Sequence, residues 1–202
     1  MATIITGSAV TTEGIVTNTL GSNNLVAGST AGDSIVSGGN GNTLLGTNSG
    51  TAITTGDNCV SVGFNSLQSN TTASYITAFG SKSLQSNTTG AAQTAVGYSA
   101  LAASTGSENT AVGYLALTNS VGATSNTAMG YRSLDTNITG NNNSSVGHLS
   151  MYANTTGLCN SALGQVALRN NTTGQNNSGT GCRALFTNTT GGDNTASGYD
   201  SL

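Results

Sequence analysis

The stretch Asn109-Thr110-Ala111-Val112-Gly113-Tyr114-Leu115-Ala116-Leu117 returns one period later as Asn126-Thr127-Ala128-Met129-Gly130-Tyr131-Arg132-Ser133-Leu134. Its frame extends in both directions. Glycine recurs at Gly46, Gly63, Gly80, Gly97, Gly113, Gly130, Gly147, Gly164, Gly181 and Gly198, in steps of 17 with one step of 16 after Gly97. Four residues after each glycine from Gly63 onward stands a large apolar residue: Leu67, Leu84, Leu101, Leu117, Leu134, Met151, Leu168, Leu185 and Leu202. Two residues before each glycine from Gly63 onward the side chain is always small, as at Ser61, Ala95, Ala128 and Ala196. Immediately before it stand Val62, Phe79, Val96, Val112, Met129, Val146 and Leu163, then Thr180 and Ser197. Four before it, Asn109, Asn126, Asn143, Asn160, Asn177 and Asn194 form a run. Each unit then passes through a polar turn such as Asn87-Thr88-Thr89-Gly90.

A period of 17 is too short for a pair of helices, which takes about 33 residues or more. Ser, Thr, Asn and Gly are poor helix formers, and no 3.6-residue periodicity appears. The residue types favour short strands joined by Gly and Asn turns. The reading is an all-β protein, a parallel β-solenoid (β-roll) whose 17-residue coils each hold two short strands and two tight turns. Equivalent residues then stack in ladders about 4.8 Å apart. The glycines after the Val column, and those that end the Asn-Thr-Thr-Gly turns, are expected to allow close approach or a positive φ. Each coil is expected to bury about one Leu and one Val.

Composition agrees. Charged residues make up 5%, where roughly 25% is usual, so like charges do not stack. The chain has no Pro, as a backbone whose N–H groups all enter ladders requires. The formal net charge of −3, with four Lys and Arg that do not cluster in the sequence, gives no footprint for nucleic acid. No apolar run approaches the 18 residues that a membrane span needs. The start, Met1-Ala2-Thr3-Ile4-Ile5-Thr6, has neither the charged nor the sustained apolar region of a secretory signal.

The pattern differs toward the N-terminus. Leu25, Ile35, Leu44 and Ile53 recur at 10, 9 and 9 residues, each near a turn. Residues 1–56 are therefore read as a variant or capping solenoid of half-length units, one strand and one turn each. Residues 57–202 are read as the regular solenoid. The last repeat is not atypical: the chain ends inside it at Asp200-Ser201-Leu202, as a truncated or continued repeat would.

The units Asn109-Thr110-Ala111-Val112-Gly113-Tyr114 and Asn126-Thr127-Ala128-Met129-Gly130-Tyr131 resemble the head repeats of trimeric autotransporter adhesins. The longer unit, continued through an Asn-Thr-Thr-Gly turn, is similar to repeats in bacteriophage and other viral tail-fibre proteins. The resemblance covers residues 57–202. It implies a homotrimeric fibre in the virion or a surface appendage, whose partners are itself, other fibre or virion proteins, and a host-surface glycan or protein. The chain shows no signal peptide, coiled-coil stalk or membrane anchor of the adhesin kind, which favours the viral reading. A bacterial extracellular adhesin or filament subunit is the alternative, and an ice-binding solenoid with Thr71, Thr88, Thr155, Thr172 and Thr189 in one row a further one.

Chemistry is not legible. The single His148 falls in the position just after the glycine, with Phe64, Tyr98, Tyr114, Tyr131 and Tyr199, and reads as part of an aromatic stripe. The seven acids do not recur at one repeat position, so neither a paired-carboxylate mechanism nor repeated calcium sites are indicated. Gly38-Gly39-Asn40-Gly41-Asn42 lacks the Lys-Ser/Thr of a phosphate loop and reads as a turn. Cys59, Cys159 and Cys182 are odd in number and irregular in spacing, so no disulfide framework follows. No catalytic, cofactor or metal residues are assigned, and no enzyme activity is expected.

Overall fold

The computed structural model describes residues 20–202. The part of the N-terminal segment at residues 1–19 lies outside them. Eleven three-residue strands follow one another: β1 Leu25–Ala27, β2 Thr43–Leu45, β3 Val60–Val62, β4 Thr77–Phe79, β5 Thr94–Val96, β6 Thr110–Val112, β7 Thr127–Met129, β8 Ser144–Val146, β9 Ser161–Leu163, β10 Ser178–Thr180 and β11 Thr195–Ser197. They form one parallel sheet in sequence order, and every pairing joins equivalent repeat positions, as Ala95↔Ala111 and Ala111↔Ala128 do. The fold is a β-solenoid. At about 4.8 Å per strand the sheet is roughly 48 Å long.

Each coil holds one strand, where two were expected. The rest is a chain of tight turns, still bonded from coil to coil: Ile138 N donates to Thr155 O and Thr155 N to Thr172 O, at 2.8 and 2.9 Å. Two of these turns rest on residues that sequence reasoning left unmarked. The Leu column is left-handed throughout, with φ between 46° and 55° from Leu67 to Leu185. So is the column two after the glycine, from Thr30 to Asp200. An L-residue in this region costs roughly 1 kcal/mol, so regular packing of neighbouring coils must hold it there.

The glycine column has a steric cause. Gly130 lies at φ 132°, and a methyl group on it would sit 2.5 Å from the carbonyl oxygen of Gly147. The glycine that ends the Asn-Thr-Thr-Gly turn needs no positive φ. It is favoured by close approach: a methyl group on Gly157 would meet Asn154 Oδ1 at 2.4 Å and Gly174 O at 2.5 Å, and the column admits Ala73 and Ala123 in other coils.

The interior differs from the expected Leu-plus-Val filling. The Leu column is buried from Leu67 to Leu185 and open only at Leu202. The Val column is not interior. In a strand alternate residues point oppositely, so the small residue at the strand centre faces inward and both its neighbours face out. Val62, Val96, Val112 and Val146 are half-exposed, and Phe79, Met129 and Leu163 are exposed.

Asparagine takes the interior space left over. Asn143 Nδ2 donates to Gly157 O at 2.8 Å, and Asn143 Oδ1 accepts from both the N and Nδ2 of Asn160. Asn160 repeats this arrangement in full, and Asn126 does so with the backbone N of Asn143 as its only donor to Oδ1. A second buried column comprises Asn70, Asn87, Asn137, Asn154 and Asn171, where Asn154 Nδ2 donates to Asn137 Oδ1 and Gly157 O. A buried amide is stable only when its bonds are made, and the stacked coils supply them where Asn follows Asn.

The 9- and 10-residue spacing near the N-terminus does not mark half-length units. β1 to β2 spans 18 residues and β2 to β3 spans 17, so these are full coils in the same sheet. Val26 and Leu44 occupy the strand-centre column that holds Ser61 and Ala78 later. Ile35 and Ile53 occupy the column that becomes Asn70 and Asn87. Leu25 is an outward residue, 41% exposed.

Candidate interaction surface

With the interior filled by ladders, function falls to the outer columns. Three are distinctive.

The strand face carries the Val column. Beside it, just after the glycine, the aromatic column forms a stack. Tyr98, Tyr114, Tyr131 and His148 lie ring over ring, with centroids 5.4, 5.5 and 5.2 Å apart and interplanar angles of 15°, 6° and 11°. The coil repeat of about 4.8 Å places the rings at stacking distance without further adjustment. Phe79, Tyr98, Tyr114, Met129, Tyr131 and Leu163 are each more than 40% exposed, an apolar surface longer than scattered single residues would make.

The threonine row is present but uneven. Thr71, Thr88, Thr155, Thr172 and Thr189 share a column with Val121 and Ile138, which are 51% and 46% exposed.

The third surface was not legible in the sequence. Three of the four cationic residues, scattered at positions 132, 169 and 183, come together in the structure with Tyr152 and Phe186. The fourth, Lys82, stands apart, three coils before the first of them. Positions 152, 169 and 186 are one column at 17-residue spacing, a signal visible only once the coil frame is extended beyond the Leu. Asp135, the preceding member, is buried and pairs with Arg132 at 2.6 Å, which holds the guanidinium above its ordinary pKa range.

Cys59, Cys159 and Cys182 are free thiols. Cys59 sits in the interior asparagine column, and its Sγ lies 3.5 Å from Ala73 O. Burial pushes this thiol up to about 11. Among the described residues no three His, Cys, Asp or Glu side chains gather as a metal would require, and no helix is long and apolar enough to cross a membrane. No protein-family model, no curated protein and no solved structure matches this chain.

Proposed function

We propose that the chain is the shaft of a fibre, a structural and adhesive element of a virion tail fibre or similar surface appendage that supports attachment to a host surface. In this reading three copies run parallel and pack through the strand face. The observation that carries it is the exposed apolar strand face, with its stacked aromatic column alongside. Both columns recur once per coil in the in-register parallel sheet. In this reading the Val column of one copy runs along the aromatic column of the next, the head-to-tail kind of contact that can close into a ring. Ladders of backbone and asparagine bonds make each copy a stiff rod, and repeated weak contacts along a rod give attachment by multivalency. The interrupted threonine row argues against the ice-binding alternative.

The test is the mass in solution by light scattering after size exclusion. A value near three times the 19.8 kDa chain supports the shaft. A monomer at micromolar concentration overturns the trimer. Val96→Asp with Val112→Asp places two charges on the strand face and is expected to yield folded monomers, checked by the same measurement with circular dichroism.

A further inference from the structure

The cationic cluster has an order. Arg132 lies over the Tyr152 ring with its Cζ 4.8 Å from the centroid, and its Nη2 donates to the Tyr152 hydroxyl at 3.0 Å. Arg169 lies between Tyr152 and Phe186, 5.7 and 5.9 Å from the two centroids. Arg183 covers Phe186 at 4.4 Å. Guanidinium and ring thus alternate, each ring lying between two cations.

The two ends of this ladder are neutralised and its centre is not. Arg132 pairs with Asp135, and Arg183 pairs with Asp200 at 2.8 Å. Arg169 has no carboxylate partner among the described residues, and its Nε is buried with no hydrogen-bond acceptor. A buried donor left unpaired is costly, and a guanidinium whose two faces meet rings has only its edge left for bonding. The buried Nε is out of a ligand's reach, so the fork open to an oxyanion is the terminal Nη1/Nη2 pair, which it meets with two parallel bonds.

We propose that the Tyr152–Arg169–Phe186 rungs form a binding site for an acidic saccharide, with the sugar's carboxylate or sulfate on the Arg169 edge. The neutral polar row beside it suits hydroxyl groups: Asn170 follows Arg169 and Thr187 follows Phe186 one coil later, and neither is buried. Nucleic acid is disfavoured, because a phosphate backbone calls for an extended positive field and this chain is net −3 with a single unpaired cation in the cluster. An isolated acid on an otherwise neutral polymer matches one free guanidinium. The site uses none of the strand-face residues of the shaft reading, so either can fail without the other.

The experiment titrates the full chain by calorimetry with galacturonate oligomers, sialyllactose, a sulfated oligosaccharide, a neutral dextran oligomer and a single-stranded oligonucleotide. Binding of the carboxylated sugars at least tenfold tighter than dextran, weakening with salt, supports the site. Equal binding of the sulfated sugar identifies a general oxyanion pocket and supports it equally. Arg169→Met, which keeps the stem between the rings, is expected to lose at least tenfold in affinity with unchanged circular dichroism. Arg169→Lys keeps the charge without the fork and is expected to fall between the two. The site is overturned if acidic sugars bind no better than dextran, if the oligonucleotide is preferred, or if folded Arg169→Met or Arg169→Lys binds as the parent does.

Discussion

The two coils that begin at β1 and β2 and the coils after them enclose the same interior with opposite distributions of bulk. In the first two, the strand centre is large, Val26 and Leu44, and the position four after the glycine is Gly32 and Gly50. From β3 onward the strand centre is small and that position is Leu or Met. The exchange is steric. A methyl group on Gly50 would meet Leu44 Cδ2 at 2.9 Å and Ile53 Cδ1 at 2.8 Å. Interior volume is conserved while its source moves across the coil, as close packing demands. The polar ladder moves too: Ile35 and Ile53 fill dry the column where later coils set Asn70 and Asn87. One cross-section therefore admits two side-chain solutions, provided the backbone frame stays fixed.

The largest expected effect comes from removing bulk where it has no substitute. Leu44→Ala empties the centre of a coil whose facing position is already glycine, and should cost about 2–5 kcal/mol in chemical denaturation. Next comes the exchange itself. Ala111→Leu brings a large strand centre against Leu117 and should cost about 1–3 kcal/mol. Adding Leu117→Gly recreates the first-coil arrangement and also relieves a left-handed leucine at φ 50°. The double variant should be more stable than Ala111→Leu alone. Failure of this rescue would break the volume-exchange account.

The asparagine ladder offers a smaller test. Asn143→Ala removes the Oδ1 that accepts from Asn160 and the Nδ2 that donates to Gly157 O, while keeping the backbone N–H that serves Asn126, and should cost about 1–3 kcal/mol. Asn142→Ala, next to it but exposed, should cost much less, although its φ of 58° favours Asn over Ala. Comparable losses at the two sites would show that the ladder adds little.

The smallest effect is in pH dependence. Cys59 has a folded pKa of about 11 against an ordinary 9.0, because burial disfavours the thiolate. Its contribution is fully present below pH 9 and is lost as pH rises toward 11, since the unfolded chain releases this proton first. The parent should lose stability more steeply than Cys59→Ala across that window. Alkylation at neutral pH should modify the exposed Cys159 before Cys59.

The period, the coil length and the burial of the Leu column were legible because they depend on chain geometry that repeats with the sequence. The facing of the Val column was misread: valine and phenylalanine are apolar wherever they stand, and only strand alternation about the small residue turns them outward. The left-handed leucines had no signal, since positive φ is advertised by glycine or asparagine and not by leucine. The N-terminal coils misled because Leu25, Ile35, Leu44 and Ile53 form an even series in sequence but belong to three different columns.

By itself the sequence determined a parallel solenoid with one repeat per coil. A fixed period forces equivalent residues into ladders, and glycine is the residue that tolerates the close approach each coil makes to the next. Only the tertiary structure decided which apolar column is core and which is surface, and which distant residues share a rung. Column membership depends on how the coil bends, and that bend is set by backbone angles that no residue type in the Leu column announces. Arg132, Arg169 and Arg183, far apart along the chain, become neighbours for this reason, through packing of successive coils and not through any local motif.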